Sequence, residues 1–222
     1  MTPVADESAH RAQAVQAMVR LDMLGLNRGS TGNLSLRCAR DGRPGMLITP
    51  TGMGADALRA QHMVWVGDDG AVVGDWLPSS EWHFHQAIYA ARADVNAVVH
   101  THSVHATALA CLQRELPPFH YMVAVAGGDS VPCTAYHGFG SVALSQAVAQ
   151  ALATRDACLM AHHGLVAAGT TLASAMKVAI EVEALCEIYL KLLPLGEPAR
   201  LSTLQMAEVL EKFRHYGQTR RA

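Results

Sequence analysis

Lysine is scarce in this chain. Lys177, Lys191 and Lys212 are its three lysines, and all fall in late, helix-like, charged segments. A lysine that forms a Schiff base needs a desolvated pocket to lower its pKa, and none of the three is placed for one. Charge of either sign is also thin. Only 16% of the 222 residues are charged, the formal net charge is −2, and no polybasic block occurs. The composition therefore offers no electrostatic footprint for nucleic acid or for a membrane surface. No apolar run reaches membrane-spanning length. The opening residues, MTPVADESAHRAQ, carry no apolar core of signal-peptide length. Cys38, Cys111, Cys133, Cys158 and Cys186 are odd in number and none lies close to another. That argues against a disulfide framework and for reduced, mostly buried thiols in a cytoplasmic protein.

What is present is a foldable core. Half of the residues are hydrophobic, which excludes disorder, and the length suits one α/β domain. No repeat, low-complexity tract or linker interrupts the chain, so residues 1–222 are expected to form a single domain. Residues 8–24 read as a helix with Val15, Met18, Val19 and Leu24 on its apolar stripe and Gly25 as its stop. NLSLRC and GMLITP read as strands, and MVWVGDDGAVVG as a hairpin turning at Asp69-Gly70. LPSSEWHFHQAIYAARAD opens a helix, VNAVVH is an apolar strand, and SVHATALACL is a helix capped by Ser103. SVPCTAY reads as a short strand and SVALSQAVAQALATRD as a helix. ACLMAHHGLVAAG is strand-like around a His-His-Gly break. A long helix over 171–193 and a polar helical tail follow. Strands and helices mix without strict βαβ alternation, so a mixed sheet covered by helices fits better than a doubly wound parallel sheet.

The chemistry-bearing residues cluster at element ends. His100 and His102 stand two apart at the end of a strand, so they share a face and can share one divalent ion. His105 falls in the next helix and need not join them. A second apolar segment ends in His162-His163-Gly164. A catalytic zinc takes three protein ligands and keeps a position open. One of His162 and His163 can complete that count, while the other faces away. Either could equally be a hydrogen-bonded core histidine. Glu81 follows Ser79 and Ser80 in the first turn of a helix. It reads as a carboxylate favoured by the helix dipole or as a general base beside a metal. The helix N-terminus and its hydroxyls suit an anion. GLNRGSTGNLS, and more weakly TPTGMG, are small-residue loops whose N–H groups can approach a phosphate, although neither matches a P-loop or a dinucleotide fingerprint.

Taken in order, GLNRGSTGNLSLR, MLITPTGM, LPSSEWHFH, NAVVHTHSVHATAL, HYMVAVAGGDSVPC and HHGLVAAG resemble the class II aldolase/adducin family over nearly the whole chain. The resemblance implies an α/β fold, a three-layer αβα sandwich with a central mixed, largely antiparallel sheet. It also implies a homotetramer with active sites at subunit interfaces. It selects His100, His102 and His163 as ligands of one Zn2+ per subunit and sets His162 aside. Glu81 becomes the fourth ligand at rest and the catalytic carboxylate once substrate displaces it. The resemblance places phosphate at Asn33, Thr51, Gly52, Ser79 and Ser80, and lines the substrate with Phe139. It makes Tyr121 a proton donor to an adjacent subunit's site, and Tyr216, in a mobile tail of about 202–222, a second tyrosine that closes over substrate. The implied reaction is reversible cleavage of a ketose 1-phosphate, L-fuculose 1-phosphate or a close relative, to dihydroxyacetone phosphate and an aldehyde such as L-lactaldehyde.

Rivals on the same scaffold are a pentulose-5-phosphate 4-epimerase, a methylthioribulose-phosphate dehydratase, a decarboxylating relative and an aldolase for 5-deoxypentulose phosphates. Epimerases of the family carry an aspartate ahead of the glycines before the PCT strand. Here the stretch is HYMVAVAGG, and Asp129 comes only after them. A non-catalytic adducin-like binding domain would lack the intact ligand set.

Overall fold

The computed structural model describes residues 7–214. Among the described residues, eight strands form one sheet: β1 (Asn33–Arg37), β2 (Gly45–Ile48), β3 (Val64–Gly67), β4 (Val72–Val73), β5 (Ala97–Thr101), β6 (Cys133–Thr134), β7 (Ala157–Met160) and β8 (Gly164–Gly169). Their order across the sheet is β4-β3-β2-β1-β5-β8-β7-β6. Every pairing is antiparallel except β6 with β7. The mixed, largely antiparallel sheet expected from the sequence is therefore present.

Helices cover both faces. α1 (Glu7–Met23), α3 (Val104–Cys111), α5 (Leu172–Leu192) and α6 (Thr203–Arg214) pack on one; α2 (Trp82–Ala91) and α4 (Val142–Ala151) pack on the other. Strand residues alternate between these two cores, as period-two geometry demands. Leu34, Leu47, Trp65, Val99, Leu159 and Leu165 enter the first, and Ile48, Val64, Val98, Met160 and Val166 the second. Sequence runs such as NAVVH and CLMA are apolar throughout because both faces of the sheet are buried.

One helix face differs from the sequence reading. α1 buries Ala14, Ala17, Met18 and Leu21, whereas Val19 and Leu24 are exposed. Small alanines let the helix lie close to the sheet, and a stripe chosen by side-chain size misses that. The DDG hairpin forms as read, with Gly70 at φ 80°. SVPCTAY contributes only the two residues of β6. All five cysteines are free; three are buried.

Ser103 is the N-cap of α3 but makes no capping bond through its side chain. Glu183, from α5, supplies the bonds instead. Its Oε1 accepts from the His105 N–H at 2.9 Å, and its Oε2 accepts from the Ala106 N–H at 2.8 Å. His105 Nδ1 lies 2.9 Å from the same carboxylate. A carboxylate at a helix N-terminus satisfies orphan donors and complements the dipole. His105 is thus part of a joint between α3 and α5, just beyond the strand that carries His100.

Glu183→Ala strands these donors and should cost about 1–2 kcal/mol, the range for losing a helix cap. Urea unfolding of the variant against the parent measures it; an unchanged midpoint would show that the joint contributes nothing.

Candidate active site

Four side chains converge where β5 and β8 meet the start of α2. His100 and Thr101 close β5, and His102 follows directly. Antiparallel pairing sets His100 opposite Asn33 on β1 and opposite Val166 on β8. Glu81 is the N-cap residue of α2 rather than a residue of its first turn. One donor atom from each of Glu81, His100, His102 and His163 can be chosen so that all lie within 4.8 Å of one another. His100 Nε2 is 2.9 Å from His102 Nε2 and 3.2 Å from Glu81 Oε2. His163 Nε2 is 3.0 Å from Glu81 Oε1.

The turn between β7 and β8 decides which neighbour points inward. His162 is left-handed, at φ 56°, and the His163 N–H bonds back to the Met160 carbonyl. This conformation is uncommon for a non-glycine residue. It aims His163 at the cluster and leaves His162 exposed, with its Nε2 3.0 Å from the Gln113 amide and its ring edge-on to Tyr136. Gly164 follows because nothing larger fits. A Cβ there would lie 2.4 Å from the Thr101 carbonyl oxygen and 3.3 Å from both His100 and His102.

The donor chemistry suits a divalent metal. His100 is fully buried, and its Nδ1–H donates to the Leu165 carbonyl at 2.9 Å, which fixes the tautomer and leaves the Nε2 lone pair facing the cluster. Glu81 Oε1 is buried without a hydrogen bond, although His163 Nε2 lies at contact distance. A buried carboxylate oxygen left over among imidazole lone pairs is what a cation would satisfy. Burial pushes the Glu81 carboxyl up, but the adjacent His100 and His163 more than reverse this and hold it well below its ordinary range. Burial, and then repulsion from His100 and His163, lower His102 to about 4, so it is neutral and able to ligate at pH 7.

A cavity of 340 Å³ opens over the cluster. Thr51, Gly52, Ser79 and Ser80 line it together with Ser30 and Thr31. Asn33 also lines it, with Nδ2 2.8 Å from Glu81 Oε2. That nitrogen retains a second N–H. Tyr136, His137, Phe139 and His162 form the remaining wall. Phe139 is 76% exposed there. Tyr121 does not line this cavity. It begins the 3-10 turn Tyr121–Ala126 and is 52% exposed, against His120. Tyr216 lies outside the described residues. A larger cavity of 1110 Å³ sits at the opposite strand ends, near Asn96, Thr171 and Lys177. Size alone would favour it, but the metal-type donors converge only at the smaller one among the described residues.

Sequence reasoning missed several of these residues. Ser30 and Thr31 stood in a loop already noted, while Tyr136 and His137 had no local signal. Ser35, His85 and Tyr89, which form a buried polar chain beside Glu81, were also passed over. Their signal was present: Glu81, His85 and Tyr89 recur every four residues on α2, the spacing of one helix face.

This fold and donor set define a metal-dependent enzyme built on a mixed-sheet sandwich. The family described as Class II Aldolase and Adducin N-terminal domain matches residues 12–190, and the chain belongs to it. The chain is 47% identical over 209 residues to the 5-methylthioribulose-1-phosphate/5-deoxyribulose-1-phosphate aldolase of Rhodospirillum rubrum, covering 94% of this chain and 93% of that one. It is 46% identical over 206 residues to the L-fuculose phosphate aldolase of Escherichia coli K12, covering 92% and 94%. A solved L-fuculose 1-phosphate aldolase superposes with a TM-score of 0.89 at 35% identity, covering 96% of this chain and all of that one. The chain is thus a class II aldolase family enzyme, as the sequence motifs implied.

Two predictions follow from this geometry. Gly164→Ala should move the β5 end and reduce bound metal well below one per chain, at a stability cost of about 1–3 kcal/mol typical of overpacking; full metal occupancy in that variant would refute the steric argument. The second concerns His85, which burial and then His100 lower to about 3 from 6.5. Its folded pKa lies below its unfolded one, so the unfolded chain binds more protons between them. Stability is complete above pH 6.5 and falls toward pH 3, with a slope of up to about 1.4 kcal/mol per pH unit from this ring. Thermal unfolding of metal-stripped protein across pH 4–8 tests it, and a flat profile would contradict it.

Proposed function

We propose that this enzyme cleaves a ketose 1-phosphate reversibly to dihydroxyacetone phosphate and an aldehyde. L-Fuculose 1-phosphate, giving L-lactaldehyde, is the leading substrate. 5-Deoxypentulose and 5-methylthiopentulose 1-phosphates are the alternatives that the relatives' names bring in. The observation that carries the reading is one cavity that joins a three-histidine, one-glutamate donor set to a rim of Ser, Thr and Gly. The first suits a Lewis acid; the second suits a phosphate.

Zn2+ is the metal proposed for His100, His102, His163 and Glu81. Bound there, it would act as a Lewis acid toward the substrate's carbonyl and hydroxyl oxygens and take up enediolate charge. This role matters because no lysine is placed for a Schiff base. Ser79, Ser80, Thr51, the Gly52 backbone and the second Asn33 N–H hold the phosphate, so binding energy remote from the reacting carbons fixes their orientation. Tyr121, contributed by a neighbouring subunit, takes the proton of the C4 hydroxyl as the C3–C4 bond breaks. Glu81 carries the proton that C3 receives, and in condensation its carboxylate removes it. Away from the imidazoles, burial raises its basicity, which suits that exchange. Phe139 and Tyr136 face the aldehyde half, and Tyr216 closes over it. The exposure of Tyr121 supports a homotetramer in which it meets another copy. The free cysteines, and the absence among the described residues of any helix long and apolar enough to cross a membrane, support the cytoplasm as its location.

Glu81→Gln should retain metal through the three histidines and lose at least about 100-fold in kcat, the scale of a lost acid–base group; wild-type-like turnover would remove Glu81 from this role. The reaction itself is tested by a panel of ketose 1-phosphates, with and without chelator, read by coupled detection of dihydroxyacetone phosphate. Chelator-sensitive release is expected. Epimerised or dehydrated product without dihydroxyacetone phosphate would transfer the enzyme to another branch of the family.

A further inference from the structure

Beside the ligand cluster, α2 and β1 share a line of buried polar groups, of which Ser35, His85 and Tyr89 have no part in the steps above. Glu81, His85 and Tyr89 form one stripe of α2. Asn33 and Ser35, two apart on β1, face it. Ser35 and His85 have no exposed surface, and Asn33 has 4%. Apolar residues would fill this helix–sheet contact at less desolvation cost, because buried polar groups are tolerated only when each is satisfied.

Asn33, Ser35, His85 and Tyr89 are joined to one another and to Glu81 Oε2 by hydrogen bonds, and in one direction. Tyr89 OH lies 2.8 Å from Ser35 Oγ, and Ser35 Oγ lies 2.7 Å from His85 Nδ1. His85 Nε2 lies 2.6 Å from Asn33 Oδ1, and Asn33 Nδ2 lies 2.8 Å from Glu81 Oε2. The carboxylate can only accept, so Asn33 gives it an N–H. Asn33 Oδ1 can then only accept, so His85 carries its proton on Nε2. His85 Nδ1 accepts from Ser35, and Ser35 accepts from Tyr89. All four donors point toward Glu81, and hydrogen bonds aligned in this way polarise one another. The His85 ring is stacked on Phe84, with centroids 4.5 Å apart.

We infer that His85, locked by Ser35 and Tyr89, is a positioning residue: it holds the Asn33 carboxamide with its nitrogen toward Glu81 and so sets where that carboxylate rests against the imidazoles. Without the His85 N–H, the carboxamide keeps only the Glu81 carboxylate to hold it against its flipped orientation. In the flipped one, Asn33 Oδ1 faces the carboxylate with lone pairs and repels it. The inference rests on the assignment of Glu81 as metal ligand and proton carrier made above.

The test compares His85→Leu, His85→Gln and Ser35→Ala, with His85→Leu also made in a Glu81→Gln background. Zinc alone is the probe, titrated by chelator competition into metal-stripped protein, with cleavage kinetics measured in parallel. His85→Leu should weaken zinc about 10-fold and lower kcat about 10–100-fold, the range for partners of metal ligands. Ser35→Ala, a small change that spares packing, should shift both in the same direction by several-fold. His85→Gln keeps a nitrogen donor near the Nε2 position and should recover most of the loss. In the Glu81→Gln background, His85→Leu should change zinc affinity by less than about two-fold, because interacting sites do not add. Equal weakening in both backgrounds would reveal a general packing role and overturn the inference. So would wild-type zinc affinity in folded His85→Leu and Ser35→Ala, or failure of His85→Gln to recover. If the wild-type protein binds zinc and these variants match it, this inference alone falls. A wild-type protein that binds no zinc overturns the assignment of Glu81 and this inference with it.

Discussion

The structure turns on one buried negative charge. Glu81 sits at the mouth of α2 with almost no access to water, and a carboxylate cannot remain ionised there without partners on every side. The His100 and His163 imidazoles and the Asn33 amide approach it. These contacts outweigh the burial that opposes ionisation, and the carboxyl stays charged. The arrangement works only if β1, β5, β8 and α2 reach one point in fixed register. The central position of β1, β5 and β8 in the sheet therefore has a chemical as well as a topological reason.

Register does most of that work. Asn33 opposite His100, and His100 opposite Val166, align three strands so that their polar residues face α2 while Leu34, Val99 and Leu165 enter the other core. A slip of one residue in β5 would send His100 into the opposite layer. The apolar alternation that stabilises the sheet is thus the same pattern that aims the site. Glu183 adds a second restraint by tying α3, which leaves directly from the ligand strand, to α5.

Much of this was legible in the sequence. The apolar strand that ends at His-x-His and the break at the Gly-terminated second histidine pair are both present, although His102 lies one residue past the strand, because strand periodicity and turn chemistry are local. The choice of His163 over His162 was not local. It depends on a left-handed backbone at His162 and on a close approach between Gly164 and Thr101 from a strand far away in sequence, and only family resemblance supplied it beforehand. The buried face of α1 was read only in part, with Met18 right and Val19 and Leu24 wrong, because alanines make much of its contact. The wall of Tyr136 and His137 carried no pattern, since an irregular segment has no periodicity to reveal which side chains turn inward.

The four donors of the cluster also come from segments that the chain separates widely. Glu81 leads a helix, His100 lies near the end of one strand with His102 just past it, and His163 precedes that strand's neighbour. An ion held by all four would close the long loop that runs from His102 through α3 and α4 to His163, as a covalent staple would. Closing a long loop removes freedom chiefly from the unfolded chain. The catalytic centre would then double as a clasp, and depriving the cell of the ion would shorten the life of the protein as well as silence it.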